Sequence, residues 1–231
     1  MLFNINKKIL YKKAKYRAFT LSEVLLTIVI IGVIAAMAIP SMLKTTQMEE
    51  YVAGLKKAHS TLANALYRIN YNNGYPQGDY SYLREVNFID ELAEVTNILK
   101  KCDSTPECLG SSIHSQNSIY KQLNGTPAAT WADGKAVITS DGHMFSGAQL
   151  SSASNIHGLS LEDEDNAIFR ILVDVNGRKG PNRFGYDTFI FYIVDGKGIL
   201  PAGAESTSSC RKTSNGATCA AKVIKEGKIT Y

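Results

Sequence analysis

The 231-residue sequence has little of what marks several classes of protein. With 18 glycines and 6 prolines it has no collagen-like excess, and 45% apolar residues with a net charge of only +4 exclude wholesale disorder. No Gly-x-Ser-x-Gly nucleophile elbow occurs, and no glycine-rich phosphate loop opens a helix. The four histidines, His59, His114, His143 and His157, stand without metal-ligand spacing. Enzyme readings therefore start without a motif.

Charge of one sign is missing in two places. Residues 1–18 hold six cations (Lys7, Lys8, Lys12, Lys13, Lys15, Arg17) and no acid, so this leader carries +6 against a whole-chain +4 and leaves −2 on the other 213 residues. A basic nucleic-acid-binding surface has little support in that remainder. Val24 to Ile39 then contains no charge at all. A helix over the 21 residues from Phe19 to Ile39 would reach about 31 Å, close to the hydrocarbon thickness of a bilayer. Cations before the span, with Lys44 alone soon after it, predict a cytoplasmic N-terminus and an exported remainder.

A secretory signal would put a short apolar core ahead of a small-residue cleavage site. Here the small residue, Ala18, lies before the apolar run, so a cut there would discard the charges and keep the membrane helix. Ala18-Phe19-Thr20-Leu21-Ser22-Glu23, followed by the apolar run and Pro40, resembles the prepilin signal of type IV pilins and type II secretion pseudopilins. The resemblance spans roughly residues 7–70 and is strongest in 18–40. It implies cleavage between Ala18 and Phe19 by a membrane-embedded prepilin peptidase and N-methylation of Phe19. It also implies other pilin or pseudopilin subunits and an inner-membrane assembly platform as partners, and a helix-loosening role for Pro40. The family usually has Gly before the cut, where this chain has Ala18. The implied location is the bacterial inner membrane, then a periplasmic or extracellular filament.

Glu23 has a physical reading of its own. A carboxylate near the start of a membrane helix costs on the order of 2–3 kcal/mol at the centre and less near the interface, so it seeks a partner. The resemblance implies the freed amine of a neighbouring subunit, which would set axial register. Snorkelling to the interface, or bonding to its own N-terminus, is the alternative.

Beyond Pro40, Met48, Tyr51, Val52, Leu55, Ala58, Leu62, Ala65, Leu66 and Ile69 recur at spacings of three and four, predicting one long helix over about 20–71. Turn formers from Asn70 to Gly78 end it. Residues 80–101, with Phe88, Ile89, Leu92, Val95, Ile98 and Leu99 at helical spacing, predict a short helix. Lys135–Ser140 and His143–Ser146 about Asp141-Gly142 read as a hairpin, with Asp133-Gly134 as an earlier turn. Ile168–Val175 and Thr188–Val194 read as strands, and Asp195-Gly196 leads on to Ile199-Leu200. The expected class is α+β, a long helix packed on an antiparallel sheet, which is also the pilin arrangement. Four segments follow: leader 1–18, membrane and filament-core helix 19–40, amphipathic continuation 41–71, and exported domain 72–231.

Cys102, Cys108, Cys210 and Cys219 lie on the exported side, where disulfides are the default. Of three pairings, Cys102 with Cys108 and Cys210 with Cys219 each close a short polar loop; zinc is the alternative, without knuckle spacing. Between two strands, Asp174, Asn176, Asn182 and Asp187 could supply oxygens to calcium, although the chain is expected to require no cofactor. A tight turn in which these side chains bond their own backbone is the competing reading, and Arg178, Lys179 and Arg183 lie nearby. The acidic run Glu162–Asp165 reads as a solvated face or helix start. The chain is thus expected to be a non-enzymatic prepilin-like subunit. A monomeric, signal-anchored binding domain or unrecognised enzyme is the alternative.

Overall fold

A computed structural model of the chain describes residues 19–109, 119–128, 134–150, 156–205 and 209–231. The leader with Ala18, and Asp133 of the earlier turn, lie outside the described residues. Helix α1 (Leu21–Asn72) contains Pro40 and continues past it. The chain divides into two units with the boundary between Lys44 and Thr45.

In the first unit, every residue from Leu21 to Pro40 is exposed except half-buried Ala35. This stretch of α1 is long and apolar enough to cross a membrane, with a mean hydropathy of 2.6 in its most apolar window. A helix satisfies each backbone group within its own segment, which a lipid surrounding would require of such an uncharged run.

The second unit begins in the amphipathic half of α1. Tyr51, Val52, Leu55, Ala58, Leu62, Ala65, Leu66 and Ile69 are all buried, and Met48 packs against them, so the apolar stripe read from spacing is the packed face. The helix stops at Gly74, whose φ of +74° is open to glycine. Tyr75 N–H bonds Asn70 O at 3.0 Å and Gly74 N–H bonds Tyr71 O at 3.3 Å, which caps the last carbonyls in a Schellman pattern.

A short 3₁₀ turn (Ser81–Arg84) leads to α2 (Phe88–Val95), whose N-cap Asn87 accepts from Ile89 N–H at 2.9 Å. The remaining elements are β1 (Ile98–Cys102), α3 (Thr105–Leu109), β2 (Ala136–Thr139), β3 (Met144–Gln149), α4 (Leu161–Asp165), β4 (Ala167–Asp174), β5 (Thr188–Val194), β6 (Gly198–Pro201) and α5 (Cys219–Glu226). The six strands form one antiparallel sheet in chain order. Alternate side chains go to opposite faces. Phe189, Phe191 and Ile193 join the α1 and α2 core, while Ile190, Tyr192 and Val194 join a second core on the other face. Both faces of β5 are therefore buried, which explains why its seven residues read as a continuous apolar run.

One element differs from expectation. Ile98 and Leu99 are not on the helix: α2 ends at Val95, and both residues belong to edge strand β1, where Leu99 is 75% exposed. Thr96 adopts extended backbone with its hydroxyl on Leu92 O at 2.6 Å, and pairing of Ile98 with Thr139 then satisfies the chain as a strand. The acidic run forms α4, capped by Ser160 Oγ accepting from Asp163 N–H at 3.2 Å. Its Asp163 is buried and bonds Lys197 Nζ at 2.6 Å, so that residue is not solvated.

Candidate functional site

Two places gather the residues singled out above. At the start of α1, Phe19 is 83% exposed. Thr20 and Glu23 form a reciprocal capping box: Glu23 Oε2 accepts from Thr20 N–H and from Thr20 Oγ1–H, each at 2.8 Å, and Glu23 N–H donates to Thr20 Oγ1 at 3.3 Å. Ser22 Oγ lies 3.1 Å from Thr20 Oγ1. The signal for this box is the Thr-x-x-Glu spacing at the head of the apolar run, which a reading centred on charge pairing passes over. Glu23 thus engages its own chain. The box closes the first turn, whose amide N–H groups would otherwise lack partners.

The second place is the loop from Asp174 to Asp187, between β4 and β5. Antiparallel pairing sets Asp174 opposite Thr188, bringing the two acids to the same end of the sheet. Both are fully buried. Asp174 Oδ2 accepts from the Tyr120 hydroxyl at 2.7 Å and Oδ1 from Asn176 N–H at 3.1 Å. Asp187 Oδ2 accepts from Asn182 N–H at 2.7 Å and Oδ1 from Arg183 N–H at 2.6 Å. Carboxylates bonding their own backbone are what the tight-turn reading expects. The loop also leaves Asn176 Oδ1 and Asn182 Oδ1 buried without a hydrogen-bond partner.

The electrostatics follow from burial. Burial pushes the Asp187 carboxyl up to about 6, against the opposing pull of the Arg183 and Asn182 amides. Asp174 is raised well above the usual carboxylate range, first by burial and then by the charge of Asp187. Burial also raises the Tyr120 hydroxyl, and the Asp174 charge adds to that. Among the described residues, no cationic side chain forms an ion pair with either carboxylate. Arg183 donates from Nε to Gln122 O at 3.3 Å and lies over the Tyr186 ring at 5.5 Å, and Arg178 and Lys179 are exposed. Tyr120, 54 residues from Asp174, carried no local signal in the sequence.

Asp174, Asn176, Asn182 and Asp187 are thus brought into one loop, with two carboxylates among them. Among the described residues, no group of three or more His, Cys, Asp or Glu side chains is placed to hold a metal ion. Cys102 is bonded to Cys108, and Cys210 to Cys219. A groove of about 440 Å³ between α1 and the β2–β3 turn is lined by Lys57, Asn64, Arg68, Asn97 and Asp141. Lys57 pairs with Asp141 at 2.8 Å and Arg68 donates to Val95 O at 2.5 Å, which is structural pairing rather than a nucleophile with its base.

The half-apolar helix packed on an open antiparallel sheet is a pilin-like α+β architecture. Residues 13–39 match the family described as the prokaryotic N-terminal methylation motif, so the N-terminal region carries the motif diagnostic of prepilins and pseudopilins. No curated protein and no solved structure matches the chain.

Proposed function

We propose that the chain is a prepilin-type structural subunit of a type IV pilus or type II secretion pseudopilus. The observation that carries this reading is the methylation motif over 13–39 running into an α1 segment whose apolar side chains are exposed from Leu21 to Ile39. Exposed apolar surface of that extent requires lipid or other helices around it. Prepilin peptidase hydrolyses the Ala18–Phe19 bond, and methylation of the Phe19 amine leaves its positive charge in place. The leader stays on the cytoplasmic side of the inner membrane, and residues 41–231 are exported. The subunit catalyses nothing. It moves with the assembly platform from the bilayer into a periplasmic or extracellular filament, its apolar helix exchanging lipid for neighbouring subunits. Glu23 Oε2 serves the Thr20 cap, and the same carboxylate pairs with the methylated amine of a neighbour and sets register. Pro40 removes one hydrogen bond from α1 and loosens the helix between membrane and domain. Imaging shear-released fibres from cells lacking only this chain, beside the parent, tests the reading. Missing or shortened fibres, or loss of a secretion phenotype, are expected; no change in either contradicts it.

A second reading concerns the acidic loop, and the two buried, unpartnered asparagine oxygens favour it. With the two carboxylates they make an all-oxygen donor set that suits calcium. Asp174, Asn176, Asn182 and Asp187 would hold the ion. Bound there, it would supply the positive charge that lets both buried acids stay ionised. Calcium titration of the full chain in detergent tests this, and uptake that Asp187→Asn leaves unchanged would overturn it.

A further inference from the structure

The acidic loop is closed by segments far from it in sequence. Lys121 N–H donates to Asn182 O at 2.9 Å, and Phe184 N–H donates to Lys121 O at 2.9 Å, so residues 120–122 run alongside the loop. That ribbon is in turn held by the segment between Cys210 and Cys219: Leu123 N–H donates to Asn215 O, and Asn124 N–H to Ser214 O, both at 3.0 Å. Leu123, Cys210 and Cys219 form a buried cluster with Tyr186 and Tyr231 packed against it.

Gly185 is where these parts meet. Its φ is +85°, and a Cβ there would stand 3.0 Å from Tyr231 Oη and 3.2 Å from Cys219 Sγ. The Tyr231 hydroxyl donates to Gly185 O, and the Tyr186 hydroxyl donates to Tyr231 O at 3.3 Å. Cys219 and Tyr231 thus press on the loop two residues before Asp187. The other disulfide lies elsewhere: Cys102 ends edge strand β1, and Cys108 Sγ points to Ala136 O at 3.7 Å.

Two buried carboxylates keep their donors only while the loop backbone is fixed, because the amides of Asn182 and Arg183 must stay aimed at Asp187. We propose that the Cys210–Cys219 disulfide, with Tyr231, locks the acidic loop in its cation-competent arrangement, so that thiol oxidation gates cation affinity. This rests on the calcium reading of that loop. Oxidation removes one proton from each thiol and two electrons from the pair, forming one S–S bond. A protein disulfide oxidant takes them up by thiol exchange and becomes a dithiol. Without the bond, the 211–218 segment regains chain entropy, and the ladder to Leu123 and the contact on Gly185 weaken together. Maturation is therefore ordered, oxidation first and cation loading second.

The test uses the full chain in detergent, titrated with Ca²⁺ by calorimetry and, in parallel with EDTA present, digested by trypsin at Arg178, Lys179 and Arg183. The Cys210→Ser/Cys219→Ser variant should lose about tenfold in Ca²⁺ affinity and be cut about tenfold faster. Tyr231→Phe, which removes one bond without touching the disulfide, should move both readouts the same way by a smaller factor. The Cys102→Ser/Cys108→Ser variant should match the oxidised parent. If the parent binds Ca²⁺ and the Cys210→Ser/Cys219→Ser variant binds and is cut as the parent is, the gate is overturned and the calcium reading stands. If the oxidised parent takes up no Ca²⁺, the calcium reading falls and the gate with it.

Discussion

The carboxylate of Glu23 accepts two hydrogen bonds from Thr20, one from its amide and one from its hydroxyl, each at 2.8 Å. A glutamine at position 23 can accept the same bonds but carries no charge. Glu23→Gln therefore separates cap from charge. If Glu23 pairs with a neighbour's amine, Glu23→Gln lowers filament yield as severely as Glu23→Ala while insertion and trimming persist. Yield of sheared fibres, with an immunoblot for processed subunit, checks this; wild-type yield from Glu23→Gln would leave the residue as a helix cap alone.

The two halves of α1 should answer differently to truncation. Leu62 is fully buried against the sheet, so Leu62→Ala should destabilise the domain by about 2–5 kcal/mol. Ile30 is half-exposed within the apolar segment, and Ile30→Ala should leave the domain's unfolding midpoint unchanged. Denaturant unfolding in detergent, read by tyrosine fluorescence, compares them, and equal midpoints for the two variants would contradict this division of labour.

Acid should weaken the domain through His143, which is buried, and His157, which is half-buried. Burial lowers His143, with Lys57 adding to it and Asp141 opposing, and burial followed by Arg170 lowers His157. The native state then binds fewer protons than the unfolded chain below the ordinary histidine value near 6.5, so this contribution is lost as pH falls through that value. Asp174 and Asp187 pull the other way, because their raised carboxyls favour the protonated native state. The variant comparison isolates His143: His143→Gln should lose less stability than the parent between pH 7 and 5. Denaturant midpoints at the two values check it, and identical losses would contradict it.

Asp141 acts at lower pH. Its carboxyl is held down to about 2 by Lys57, Thr139 and His143, despite burial. Its contribution is present above the ordinary aspartate value and is lost as pH falls toward 2. Asp141→Asn should cost under about 1 kcal/mol near neutrality, since the partly exposed Lys57 pair is screened by solvent. The difference from the parent should vanish near pH 2, as read from denaturant midpoints. A difference that persists there would contradict the assignment.

Much of the fold was legible where one period dominates. The stripe from Tyr51 to Ile69 repeats at helical spacing over five turns and packs as read, and the branched and aromatic run Thr188–Val194 is β5. Ile98 and Leu99 misled because a short apolar run fits either period, and edge pairing to Thr139 settled it as strand. The loop acids were visible as residue types between two strands. Tyr120 on Asp174 and Cys219 on Gly185 were not, since contacts 54 and 34 positions apart exist only once the sheet has assembled.

Mass spectrometry of the mature N-terminus tests the central claim most directly. The account predicts a chain that begins at Phe19 and carries a single methyl group on its amine. A population that retains Met1 and the six leader cations throughout would contradict it.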